Sequence, residues 1–394
     1  MTTRVEWVED PARFEALAAP WDALAASQRT PLLLSHAWFS AWWRWFGEGR
    51  LQTCIVWEGQ RMTAAFPLLL QRGELRPLAS THGDFLVPLA ASPEALERLV
   101  EAVLAHRFAA FVYVGMPREH PVAAALARLG ARHLRIERGV DPDSVIDLPP
   151  SFAEYEKSLS HNARGQINKF RRRLAKDHAL SVRAVEPPQD LERDLAAALA
   201  IEASGWKGEE GTAITSSVAS EGFYRTICAA LAARGGLRLS FMDVDGRPIA
   251  FDLAVLDGNW LYSLKMSYAP ELEEYSPGIL LRAEVIRRCC ELGIVANDLG
   301  GGGSRGRTKQ RFRTRTIEAA ELRLFPRRPA GVARYLRQRA RLGVQAWIAA
   351  DPRRKRLNAG FWRFLRRRFA GLRRAGSELA VARRGARDER DAGT

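Results

Sequence analysis

The spacing of apolar and polar positions changes period along the chain, and the changes mark its elements. Three strand-like runs, 237–244, 248–256 and 260–266, are separated by Asp245-Gly246 and Asp257-Gly258. Asp-Gly dipeptides supply the positive φ of tight hairpin turns, so the runs are predicted to pair in sequence as an antiparallel meander. Helical spacing resumes at Tyr275-Ser276-Pro277-Gly278-Ile279-Leu280-Leu281. There Ser276 suits a cap, Pro277 the first helical position, and Gly278 a close approach of another group to the backbone. A meander feeding a helix start is a candidate ligand cradle, because unpaired amides at such a start favour an anion. A well-capped core helix would carry the same residues without a ligand.

The remaining pattern predicts alternating helices and strands. A helix over 11–26 is followed by one from Ser35 to Gly47 that carries six aromatics in nine residues, Trp38 to Phe46. Their spacing of three and four fits a buried stripe, yet six exceed what one face can hide. Strands at 51–58 and 62–70, a helix at 93–106, a strand at 109–115 and a helix at 121–130 lead to a boundary near Asp147-Leu148-Pro149-Pro150. Beyond it, a helix beginning at Ser160 buries Ala163, Ile167, Phe170 and Leu174 and leaves Arg164, Lys169, Arg171, Arg172 and Arg173 outside. This is either a solvated basic face or a surface for an anionic partner such as a phosphate chain or RNA backbone. A strand at 180–185, a helix at 191–204, the segment Gly205-Trp206-Lys207-Gly208 and a helix at 221–234 precede the meander. After the Ser-Pro-Gly helix, the strand 294–299 delivers Asp298 and then Gly300 to Gly303, with Arg305, Arg307, Lys309 and Arg311 just beyond. A carboxylate followed by a cation-rich glycine loop reads as the rim of a site.

Two stretches repeat one another. Leu51 to Leu70 has a strand, Glu58-Gly59 and Ala65-Phe66-Pro67-Leu68, while Leu237 to Leu256 has a strand, Asp245-Gly246 and Ala250-Phe251-Asp252-Leu253. The match predicts two copies of one α/β unit, over 1–150 and 151–326.

Charge sharpens this division. The net +15 resides wholly in 327–394, which holds 20 of the 60 Lys and Arg but only 5 of the 45 Asp and Glu; the first 326 residues are balanced. An argument from whole-chain basicity to nucleic acid is therefore misplaced. The segment interleaves arginines with aromatics, as in Phe361-Trp362-Arg363-Phe364, predicting an amphipathic helical tail able to lie on an anionic membrane or pack on the body. The start lacks a hydrophobic signal region and no run approaches the ~20 apolar residues of a spanning helix, which predicts a cytoplasmic protein, at most peripheral to the inner membrane face. Cys54, Cys228, Cys289 and Cys290 have no metal-ligand spacing, so no metal is expected.

The segments Pro31-x-x-x-Ser35-x-x-Trp38-x-x-x-Trp42-Trp43-x-x-Phe46-Gly47, Tyr275-Ser276-Pro277-Gly278-x-Leu280-Leu281 and Asp298-Leu299-Gly300 give the chain a resemblance to the GNAT acyltransferases. More closely it resembles their CelD/BcsL group of cellulose and exopolysaccharide biosynthesis, kin to the FemAB-like aminoacyl transferases. The resemblance covers roughly 5–326. It implies an α/β fold of two tandem GNAT-like units, each a mixed, mostly antiparallel sheet flanked by helices, with the basic tail appended. The unit 1–150 would be a degenerate, supporting one on the acceptor side, and 151–326 would hold the donor.

It further implies acyl-CoA, above all acetyl-CoA, as co-substrate and direct attack by an amine or hydroxyl of a small-molecule or glycan acceptor, with no covalent enzyme intermediate. The donor's pyrophosphate would rest on the amides of Ser276, Gly278 and Ile279, and its thioester along Lys265 and Met266. Asp298, Tyr268 or Glu274 would take the proton, Lys309 would neutralise phosphate or oxyanion, and Trp206, Lys207 and Asp84 would face the acceptor. The chain departs from the family's phosphate motif, Arg/Gln-x-x-Gly-x-Gly/Ala, where it has Glu273, Ser276 and Gly278. An acidic first position repels pyrophosphate, which keeps an aminoacyl-tRNA donor, or a catalytically silent binding protein, open as alternatives.

Overall fold

A computed structural model describes residues 2–30, 32–78, 87–185, 190–205, 208, 210–301 and 309–351. The first half contains β1 (Thr3–Val8), α1 (Pro11–Glu15), α2 (Ala18–Ala25), α3 (His36–Phe46), β2 (Arg50–Leu51), β3 (Thr53–Glu58), β4 (Arg61–Phe66), β5 (Leu68–Gln71), β6 (Glu74–Pro77), β7 (Leu89–Ala90), α4 (Pro93–Ala105), β8 (Ala110–Pro117), α5 (Pro121–Leu129), β9 (Leu134–Gly139) and β10 (Asp143–Asp147). The second half contains α6 (Phe152–Ser158), α7 (His161–Asp177), β11 (Leu180–Val185), α8 (Leu191–Ser204), α9 (Val218–Ala233), β12 (Leu237–Val244), β13 (Arg247–Asp257), β14 (Trp260–Tyr268), α10 (Pro277–Glu291), β15 (Ala296–Gly301), β16 (Arg315–Ile317), β17 (Ala319–Phe325) and α11 (Pro329–Ala349).

The predicted helix over 11–26 is two helices. Pro20 lacks the amide that would reach the Ala16 carbonyl and its ring crowds that carbonyl, so the helix breaks there. Ser35 does not cap α3 with its side chain: its hydroxyl donates to the Leu32 carbonyl (2.6 Å), and Asp22 accepts from the His36 amide instead (2.9 Å).

The fold is mixed α/β, with helices against sheets in each half. The described strands form sheets ordered β1-β3-β4-β7, β2-β5-β6-β8-β17-β9 and β11-β12-β13-β14-β15-β10-β16. The first two share one long bent hairpin, because the pairing of β3 with β4 continues in the same register into that of β2 with β5. The meander β12-β13-β14 is antiparallel as its turns predict. Asp245 and Gly246 both take positive φ in the first turn, whereas the second turn is Gly258-Asn259 and Asp257 closes β13. The Asp257 carboxylate is thereby left to accept from the amides of Leu32 (2.8 Å) and Leu33 (3.1 Å), tying the meander to the first half.

Strands cross the division at 150. β10, from the first half, pairs between β15 and β16, and β17, from the second, pairs between β8 and β9. The halves also share a core. α3 lays Trp38 and Phe46 against Phe223 of α9, and Trp45 donates from Nε1 to Thr226 (2.9 Å). This explains the surplus of aromatics on α3: Phe39 and Trp42 are buried in the first half while Trp38, Trp45 and Phe46 meet the second. A second core lies on the other face of the seven-stranded sheet, under α6, α7 and α10.

Residues 1–331 form one compact unit and 332–394 another. The described part of the latter belongs to α11, which exposes Leu336, Val344 and Trp347 on one face. No described helix is long and apolar enough to cross a membrane. Phe361, Trp362 and Phe364 lie outside the described residues.

Candidate functional site

A sheet opens where two neighbouring strands stop pairing. β14 runs parallel to β15 only from Trp260–Tyr262 against Ala296–Asp298. Immediately beyond, the register of β14 on β13 jumps, with Leu253 opposite Lys265 and Ala254 opposite Ser263, so that Leu264 is an extra residue. A bulge bends its strand away from the old path. β15 stays held by β10 on its other side. The strand from Ser263 to Tyr268 thus parts from β15, and the gap is a cleft of about 660 Å³. That volume lies within the ~300–1,000 Å³ of small-molecule sites.

The start of α10 closes the second side. Ser276 sits at φ 51 in the left-handed region, a strain a non-glycine residue tolerates at roughly 1–2 kcal/mol, and its side chain caps nothing. The expected cap is therefore absent. Instead Ser276, Gly278 and Ile279 line the cleft. Gly278 leaves room for a neighbour: a Cβ there would stand a tight 3.2 Å from the Tyr268 ring. The amides of Ser276 and Ile279 donate to the carbonyls of Glu273 (2.9 Å) and Ser276 (3.0 Å), leaving the Gly278 amide as the first-turn donor with no backbone acceptor among the described residues.

Among the described residues the lining contains four cations and one carboxylate: Lys265, Arg282, Lys309, Arg311 and Glu273. Arg282 is buried and donates to Ser263 (2.8 Å), Asn297 (3.0 Å) and Asp252 (2.9 Å), joining α10 to three strands beneath the cleft. Burial pushes the Asp252 carboxyl up against the pull of Arg282. Lys309 donates from Nζ to the carbonyls of Leu299 (2.6 Å), Gly300 (2.8 Å) and Gly301 (2.7 Å), fastening the end of β15. The Lys265 ammonium lies over the Tyr224 ring at 5.6 Å.

The structure gathers seven of the predicted residues in one cleft: Tyr268, Lys309, Lys265, Met266, Ser276, Gly278 and Ile279. It puts Asp298 behind the wall, buried, with Oδ1 accepting from the Gly300 amide (2.7 Å). Glu274 pairs with Arg173 of α7 (2.8 Å), off the lining. Trp206, Lys207 and Asp84, together with Arg305 and Arg307, lie outside the described residues. Sequence reasoning overlooked Arg282 and Asp252. The signal was there: a single arginine within Leu280-Leu281-Arg282-Ala283 and a single aspartate in the otherwise apolar run 248–256 are charges that must meet if both are buried. The four cysteines are buried; burial pushes the Cys228 thiol up to about 12. None of them lines the cleft. Among the described residues no His, Cys, Asp and Glu cluster could hold a metal ion.

Residues 161–305, which supply most of the cleft's lining, match the acetyltransferase (GNAT) domain family. Outside that segment the likeness is one of fold, which the chain shares with solved structures. FemX is 12% identical, with 82% of this chain and 97% of that one aligned at a TM-score of 0.53. L-PGS from Bacillus licheniformis is 13% identical over 84% and 96% of the two chains, at a TM-score of 0.51. No curated protein matches the sequence.

Proposed function

We propose that the chain transfers an acyl group, acetyl in the simplest case, from acyl-CoA to an amine or hydroxyl of a sugar-containing or envelope-related acceptor, as CelD/BcsL proteins of exopolysaccharide biosynthesis would. The observation that carries this reading is the parting of β14 from β15 inside the segment matched to acetyltransferase domains. A strand edge released within a sheet offers amides and carbonyls to an extended, amide-bearing chain such as the donor's arm. Backbone near Lys265 and Met266 would hold the thioester carbonyl, and the Gly278 amide would face its phosphates.

Direct attack suits a cleft whose lining has no cysteine. The acceptor nitrogen adds to the thioester carbonyl, the C–S bond breaks, and the proton lost by the nitrogen needs a base. Of the three candidates only Tyr268 lines the cleft, with its hydroxyl 3.4 Å from Glu273 Oε1, so Tyr268 and Glu273 together make the proton path. The exposed stripe of Leu336, Val344 and Trp347 beside the arginines of α11 supports a peripheral site of action on an anionic membrane face.

Glu273 favours one second reading. A carboxylate at the helix start opposes a pyrophosphate, and an aminoacyl-tRNA donor places no pyrophosphate there. Calorimetric titration with acetyl-CoA and longer acyl-CoAs separates the two. Binding of an acyl-CoA, followed by thiol release when amino sugars are added, is the expected result. Silence with every acyl-CoA, with transfer from an aminoacyl-tRNA instead, replaces the donor.

A further inference from the structure

Three of the four described cations in the cleft are already committed: Arg282 to Asp252, Asn297 and Ser263, Lys309 to three carbonyls, and Lys265 to the Tyr224 ring. Arg311 is not. Its Nη1 is sealed from water yet has no hydrogen-bond partner among the described residues. No described carboxylate pairs with it, although arginines throughout the same unit do find one, such as Arg171 with Glu284 and Arg315 with Asp147. Next to it Phe312 is buried, with its carbonyl accepting from the Tyr155 hydroxyl (2.9 Å), so the backbone that presents Arg311 is anchored. A buried guanidinium donor left unmet is costly, and a fold keeps one where a ligand supplies the acceptor. A planar fork of donors fits an oxyanion better than a neutral carbonyl.

We infer that Arg311 is the oxyanion-recognition residue of the cleft, taking a phosphate or a carboxylate of the bound substrate. This rests on the cleft being the substrate site of the proposed transferase, but it needs no particular donor. It also relieves the conflict set by Glu273. A guanidinium in the same lining attracts the anion that Glu273 repels, and Glu273 is left to the amine of the acceptor.

The test compares the full chain with Arg311→Gln and Arg311→Lys, using inorganic pyrophosphate, succinate, pantetheine and acetyl-CoA as calorimetric probes. Arg311→Gln is expected to weaken pyrophosphate or succinate about tenfold to a hundredfold, Arg311→Lys less, and neutral pantetheine not at all. The melting temperature of Arg311→Gln should hold or rise, because the change removes an unmet buried donor; a fall of several degrees would mark Arg311 as structural and overturn the inference. Weakened acetyl-CoA assigns the anion to the donor's phosphates, and weakened succinate with intact acetyl-CoA assigns it to an acceptor carboxylate. If wild-type protein binds pyrophosphate through Arg311 but ignores acetyl-CoA, the inference stands and the CoA donor falls. Equal binding of every anion by wild type and Arg311→Gln, or no anion binding by wild type, overturns it.

Discussion

Lys309 illustrates how a residue's type can be legible while its task is not. A lysine after a glycine-rich loop at the end of a strand reads as a charge for the ligand, yet its three donors are all spent on the carbonyls of Leu299, Gly300 and Gly301. Those carbonyls end β15, and an ammonium among them keeps that wall in place. Lys309→Met should therefore destabilise the protein by about 1.5–3 kcal/mol in urea unfolding and reduce transfer at the same time. Lost transfer with an unchanged urea midpoint would restore Lys309 to direct contact with substrate. Ser276 makes the same point from the other side: its sequence context suggests a cap, but a cap is a matter of backbone angle, and at φ 51 its side chain cannot reach the first-turn amides.

Among the elements, α3 decides how the halves meet. Its six aromatics were visible in the sequence, and so was the excess over one buried face; the partner that takes the excess was not, because α9 lies far along the chain and shows only an ordinary apolar stripe, Phe223, Ile227 and Leu231 among it. Gly222 of α9 is where Trp45 passes, and a Cβ there would stand 2.3 Å from the ring. Gly222→Ala is expected to cost about 1–3 kcal/mol through overpacking, read as a lowered denaturation midpoint. The meander, by contrast, was legible except for a one-residue shift of its second turn, since hairpin turns are local and Asp245-Gly246 satisfies its backbone angles within two residues.

For the molecule as a whole, the exchanged strands matter most. Neither 1–150 nor 151–326 holds all the strands of its own sheets, since β10 and β17 each complete the other's. Residues 1–150 expressed alone should aggregate, and co-expression with 151–394 should recover a folded complex with the wild-type unfolding transition; a soluble, cooperatively melting 1–150 would show the exchange to be dispensable. One exchanged strand also carries a charge whose titration can be followed. Glu321 of β17 is buried opposite Arg138 and beside Arg323; burial by itself would raise its carboxyl, but the two guanidiniums outweigh burial and hold it below its ordinary value near 4.5. The unfolded chain then binds the proton more readily than the folded one, so this contribution is complete above about 4.5 and is lost as the pH falls below it. Thermal melts from pH 6 to 3 should show a steeper acid loss for wild type than for Glu321→Gln, and parallel curves would remove the cluster from the acid response.

The sequence by itself determined the local units: the meander with its first turn, the Ser-Pro-Gly helix start, the neutral body with a basic tail, and the α/β character. These follow from periodicity and from residues whose backbone preferences act over a few positions. Tertiary structure alone decided that β14 leaves β15 after Tyr262 and so opens the cleft, that Asp252 and Arg282 meet under it, that Asp298 turns inward, and that Arg311 is left with an unmet donor. Each is a relation between residues far apart in the chain, set by packing and by the balance of buried hydrogen bonds.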